Sequence, residues 1–75
     1  MLPIFETLDG QSRIYIEFEG MGTYFVKYYP DINDEYEFYS SFYEGERTDE
    51  EWLETVCLYE NLDPKAFVKI GESDY

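Results

Sequence analysis

Seventy-five residues carry eighteen Asp and Glu against five Lys and Arg, a formal net charge of −13, with no histidine and one cysteine. That length makes one small domain, 1–75, with no second core, and the charge excludes direct binding to nucleic-acid phosphates or anionic membranes. The chain is also 21% aromatic, with nine Tyr, six Phe and one Trp, so it holds the apolar surface that disordered acidic segments lack.

Leu2 to Leu8 reads as a short apolar-rich strand, and Asp9-Gly10 is the dipeptide of a two-residue hairpin turn with φ > 0 at both central positions. Arg13 to Glu19 alternates, with Ile14, Ile16 and Phe18 on one face and Arg13, Tyr15, Glu17 and Glu19 on the other. Gly20-Met21-Gly22 is a second tight turn. Thr23 to Tyr29 then sets Tyr24, Val26 and Tyr28 against Phe25, Lys27 and Tyr29, and Pro30 ends the strand because it has no N–H to donate.

Asp34 to Tyr43 supports two readings. Its Tyr and Phe content favours a fourth strand with Tyr36, Phe38, Ser40 and Phe42 on one face, ended by Gly45. A helix would instead put Ile32, Tyr36, Tyr39 and Tyr43 on one stripe. The strand is preferred.

Thr48-Asp49-Glu50-Glu51 fits a capping box, and acids in a first turn suit the positive end of a helix dipole. Trp52, Leu53, Val56, Cys57 and Tyr59/Glu60 supply an inward stripe, with Asn61 as left-handed terminator and Leu62 as its apolar partner. Asp63-Pro64 restarts the chain, and Lys65 to Ile70 is expected to form one or two helical turns closed by Gly71, with Phe67 and Ile70 inward. A last strand over Ala66 to Ile70 is the weaker option. The expected fold is therefore α+β: an antiparallel β-meander of three or four strands, with one C-terminal helix and a short final helical turn packed on one face.

A single cysteine allows no intrachain disulfide and fits a reducing compartment. The opening MLPIFETLDGQ lacks the basic and apolar regions of a signal peptide, and no stretch approaches the ~20 apolar residues of a membrane span. The expected location is the cytoplasm, or the host cytoplasm for a phage-encoded chain.

Catalysis has few tools here. Histidine, the usual acid–base group near neutral pH, is absent, and Cys57 sits on the inward stripe without a His partner. Asp31-Ile32-Asn33-Asp34-Glu35 resembles the start of a calcium loop. Position six, however, is Tyr36 where Gly is needed, and position twelve is Phe42 where Glu is needed. Zinc lacks ligands. The expectation is a non-enzyme with no cofactor and no metal.

The remaining signal is the acidic field. Asp31, Asp34, Glu35, Glu37, Glu44, Glu46, Asp49, Glu50, Glu51 and Glu54 lie between positions 31 and 54 with Arg47 as the only base. Carboxylates two apart on a strand stand ~7 Å apart, and those three or four apart on a helix ~5–6 Å apart, spacings comparable with those of neighbouring phosphates. A bent row of Asp34, Glu35, Glu37, Glu44, Glu46, Asp49, Glu50 and Glu54, with Tyr39 and Tyr43, and Tyr29 as a further candidate, as rigid anchors, is the expected partner-binding surface.

In size, charge, single cysteine and aromatic content the chain resembles the DNA-mimic inhibitors that phages and mobile elements use against restriction enzymes, CRISPR nucleases or repair glycosylases. The resemblance implies a stoichiometric inhibitor, a monomer or small homo-oligomer, that blocks the DNA or RNA site of a basic nucleic-acid-binding protein. The alternative is an acidic interaction module, an immunity protein or regulatory subunit, that binds a basic partner without mimicry.

Overall fold

The computed structural model describes residues 1–73. Five strands, β1 (Leu2–Thr7), β2 (Arg13–Gly20), β3 (Thr23–Tyr29), β4 (Tyr39–Glu44) and β5 (Phe67–Ser73), form one antiparallel sheet in the order β4-β3-β2-β1-β5. One helix, α1 (Asp49–Glu60), covers one face, and a 3-10 turn at Pro64–Ala66 leads into β5. The architecture is α+β, as the sequence predicts.

Alternation decides the two faces. Phe5, Ile14, Ile16, Tyr24 and Val26 point under α1 and bury against Trp52, Val56, Cys57 and Phe67. Trp52 anchors the core, with Tyr24 edge-on at 4.9 Å and Tyr43 at 6.0 Å. In so small a domain these large rings supply most of the buried area, at roughly 25 cal/mol per Å².

The helix forms as expected, with Trp52, Val56 and Cys57 buried, except that Tyr59 at the end of the expected inward stripe is 62% exposed. Thr48 Oγ1 accepts from the Glu51 N–H at 3.2 Å, and Glu51 Oε1 accepts from the Thr48 N–H at 2.9 Å. Asn61 takes the left-handed conformation at φ 59°, and Leu62 N–H donates to the Cys57 carbonyl while its side chain packs on the core.

Four local expectations are corrected. The two-residue turn with both φ positive lies at Met21-Gly22 (φ 55° and 75°), where Gly22 bears no Cβ cost. Asp9-Gly10 sits in a longer loop instead, in which Asp9 Oδ1 accepts from Thr7 Oγ1 and the Gln11 N–H. Phe18 stays on the face of Ile14 and Ile16, with its ring 5.2 Å from that of Tyr24 opposite it, but at the end of β2 it is about half exposed rather than buried.

The fourth strand begins at Tyr39, and two turns closed by Asp34 N–H to the Asp31 carbonyl and Glu37 N–H to the Asp34 carbonyl precede it. Asp31 Oδ1 accepts from the Asn33 N–H and Asp34 Oδ1 from the Tyr36 N–H, so these side chains take over hydrogen bonds that a strand would place in its ladder. At the C-terminal end the helical expectation holds only for Pro64–Ala66. Residues 67–73 are a strand on β1, and Ile70 is exposed rather than inward.

Candidate partner-binding surface

The acids do not form one row. Residues 31–38 join β3 to β4 at one end of the sheet, and Glu44 begins the crossing to α1 at the other. Between them runs β4, about 17 Å long at ~3.3 Å per residue, with Glu44 its only acid. Asp34, Glu35 and Glu37 thus belong to one cluster. Glu44, Glu46, Asp49, Glu50 and Glu54 belong to another. Glu35 and Glu37 lie in turns, so the strand spacing assigned to them does not apply.

The β4–α1 cluster is built by a compact crossing. Gly45, at φ 93°, donates its N–H to the Gly22 carbonyl, and Arg47 donates from Nη1 to the carbonyls of Glu44 and Gly45. The Arg47 guanidinium lies over the rings of Trp52 at 4.9 Å and Tyr43 at 5.5 Å. The only base of the acidic stretch therefore serves as a lid on the core. The capping box then fixes the first turn, where backbone and hydroxyl donors of Thr48 hold the Glu51 carboxyl below its ordinary pKa.

Glu46, Glu50 and Glu54 are exposed, and Glu50 and Glu54 share one helix face at i, i+4. Asp49 differs from them. Lys69 Nζ reaches its Oδ2 at 2.7 Å and Glu72 Oε2 at 3.4 Å, and the bond to Asp49 chiefly raises the Lys69 pKa. Asp49 is already paired within the fold, so it is a weaker candidate for partner contact than its neighbours.

A cleft of about 340 Å³ adjoins this cluster, lined by Leu2, Phe18 and Trp52 together with Glu46 and Asp49. In the other cluster, Asp31 and Asp34 hold the turns together, leaving Glu35 and Glu37 as outward carboxylates.

Tyr39 and Tyr43 lie on the α1 side of β4, opposite Tyr28 and Tyr24. Tyr39 stacks on Tyr28 at 6.2 Å and is more than half exposed, so it is free to serve as an anchor. Tyr43 is not. It packs edge-on against Trp52 and Tyr59, its hydroxyl is buried with no more than a weak interaction with the Ser41 side chain, and burial chiefly raises its pKa.

Of the aromatic residues on the sheet face away from α1, only Tyr29 was among the sequence-based candidates. Tyr15 meets Tyr29 edge-on at 5.7 Å, Phe38 packs on Tyr29 at 5.3 Å, and Phe25 on Phe42 at 4.7 Å. Lys27 Nζ sits 5.5 Å from the Phe25 ring centre and 5.8 Å from that of Phe38. Arg13 donates from Nε to Glu6 Oε2 at 3.0 Å and from Nη1 to the Tyr15 hydroxyl, while Lys27 pairs with Glu17 at 3.7 Å. The alternation of β2 and β3 carried the signal: aromatic residues occupy both faces of β3.

Catalytic groups are sparse. Cys57 is buried, and desolvation, with a smaller contribution from the Asp63 charge, pushes its thiol up to about 11, far from a reactive thiolate at neutral pH. Among the described residues no three His, Cys, Asp or Glu side chains gather to hold a metal ion, and no helix is long and apolar enough to cross a membrane. Comparison with protein-family models, with curated proteins and with solved structures found no match for the chain.

Proposed function

We propose that this protein is a non-enzymatic inhibitor that occupies the nucleic-acid-binding site of a basic protein in the cytoplasm. The observation behind this reading is a net charge of −13 carried by an ordered domain, with outward carboxylates grouped at both ends of β4 and along α1. Self-repulsion of that size opposes folding, and it is offset where a Lys- and Arg-rich groove meets the carboxylates. Glu44, Glu46, Glu50 and Glu54 form the principal contact set, with Tyr39 as the exposed ring and Glu35 and Glu37 as a second contact. A nuclease, a CRISPR effector, or a restriction or repair enzyme has the required groove.

The split of the acids into two clusters supports a second reading, a basic partner engaged without mimicry, in which no continuous phosphate-like row is needed. Competition separates the two. The protein is immobilised, basic partners are captured from lysate at low salt, and short DNA or RNA duplexes are applied at constant ionic strength. Mimicry requires release by nucleic acid, and capture that resists it refutes mimicry. Changing Glu44, Glu46, Glu50 and Glu54 together to Gln should abolish capture with the melting temperature unchanged or raised. Undiminished capture would place the surface elsewhere.

A further inference from the structure

We propose that the outer edge of β4 is the docking site for an extended segment of a partner protein that carries Lys or Arg at both ends and joins the sheet as an added strand. Strand addition here rests on the reading that the partner is basic, and it specifies the contact such a partner makes.

β4 ends the sheet, and among the described residues no strand pairs with its outer side. Its register on β3 runs without a shift from Tyr39 to Glu44, and one step beyond it the Gly45 N–H donates to the Gly22 carbonyl. Hydrogen-bonded pairs alternate with non-bonded ones along an antiparallel ladder, so Tyr43, Ser41 and Tyr39 turn their backbone groups to β3. Ser40, Phe42 and Glu44 turn theirs outward. The Glu44 carbonyl accepts there from Arg47 Nη1. The N–H and carbonyl groups of Ser40 and Phe42, with the Glu44 N–H, are left as a template for another strand.

The opposite edge is guarded and this one is not. β5 carries Lys69 and is bulged at Ile70, since Ile4 lies opposite Gly71 and Phe5 opposite Lys69. Lysines and bulges both discourage pairing at an edge. Residues 39–44 contain no Lys, Pro or bulge, and their single charge, Glu44, lies at one end. Tyr39 and Phe42 stand 55% and 67% exposed on opposite faces, where alternate side chains of an added strand would meet them.

Charge selects the occupant. Residues 34–46 hold five acids and no base, with Glu35 and Glu37 exposed before the strand and Glu44 and Glu46 exposed at its end. The bases beside the edge are engaged: Lys27, opposite Ser40, pairs with Glu17, and Arg47 lies over Trp52 and Tyr43. A second copy paired antiparallel along this edge would set acids against acids at both ends, and like charges across strands oppose pairing. A segment with basic residues about seven positions apart, the separation of Glu37 from Glu44, meets an acid at each end.

The probe is a blocked decapeptide with two lysines at each end and alternating Thr and Val between them, added to the full chain at about 0.05 M salt. Titration followed by NMR should show saturable binding. At saturation, hydrogen exchange at the Ser40 and Phe42 amides should slow at least about tenfold, with little change at Tyr39, Ser41 and Tyr43. Ser40→Pro removes one outward N–H, spares the ladder to β3 and leaves every charge in place, so it should weaken binding at least about tenfold, whereas Ser40→Ala should not. If circular dichroism shows that Ser40→Pro does not fold, the amide protection decides alone. Binding without protection of Ser40 and Phe42, or no binding at all, overturns strand addition and leaves the basic-partner reading to its own test by capture and release. Equal binding of a peptide with Glu in place of every Lys overturns the basic occupant and the charge reading with it. Protection of the same two amides in the protein alone, rising with its concentration, would assign the edge to a second copy and overturn the proposal equally.

Discussion

Arg47 is the point at which stability and charge oppose each other. Its guanidinium covers Trp52 at 4.9 Å and Tyr43 at 5.5 Å, and its Nη1 donates to two carbonyls that end β4. A cation over an aromatic ring contributes ~0.5–1 kcal/mol when exposed and ~2 when desolvated. Arg47 is half-buried, and its carbonyl partners return to water when it is removed, so Arg47→Ala should cost about 1–2 kcal/mol. For a domain of this size each kcal/mol lowers the melting temperature by ~4–8 °C, giving a drop of about 5–15 °C. Arg47→Lys keeps the charge but loses the planar fork and should fall about halfway between. Thermal unfolding by circular dichroism, with urea titrations for the free energy, measures both. Yet Arg47→Ala also makes the acidic surface one unit more negative, so binding to a basic partner should hold or strengthen. An unchanged melting temperature for Arg47→Ala would refute the assigned role, as would a loss of partner binding by folded protein.

The capping box sets an acid limit. Because Glu51 has its folded pKa below the unfolded value, the stability it contributes is full above the unfolded pKa and is lost as pH falls through the folded one. Melts carried from neutral pH down past the ordinary glutamate range of about 4.3 should show Glu51→Gln losing less stability than wild type, and parallel curves would refute this. At neutral pH, Thr48→Ala should cost about 1 kcal/mol in the same melts. Tyr43→Phe removes a buried hydroxyl whose interaction with the Ser41 side chain is weak while keeping the ring contacts to Trp52 and Tyr59. Its stability should be unchanged or higher by up to about 1 kcal/mol, and a clear loss in urea titration would show a bonded hydroxyl.

The alternation of β2 and β3 was legible because side chains switch faces at every residue, so Ile14, Ile16, Tyr24 and Val26 declared themselves together. The helix was legible for a different reason: Thr48, Glu51 and Asn61 signal its ends locally. Residues 34–38 misled because aromatic strand propensity competed with the turn-forming side chains of Asp31 and Asp34, and the short-range hydrogen bonds won.

The last strand was underweighted because Val68-Lys69-Ile70 is too short to show a period, and its pairing with β1 depends on residues some sixty positions away. The candidate surface shows the same divide. Charge density was visible in composition, but the division of the acids by β4, the pairing of Asp49 with Lys69 and the burial of the Tyr43 hydroxyl all depend on tertiary placement.

The sheet order makes β1 wait for β5. Thr7 pairs with Phe67 and Leu2 with Ser73, so the outer edge of β1 finds its partner only after about sixty further residues have left the ribosome. At ~5–20 residues per second that interval is about 3–12 s. Throughout it the nascent chain offers an unpaired strand edge, beside which Phe5 still lacks Phe67, the kind of edge on which stray chains assemble. The acids of residues 31–54 are synthesised within the same interval. Their like charge opposes association between neighbouring chains that still lack β5.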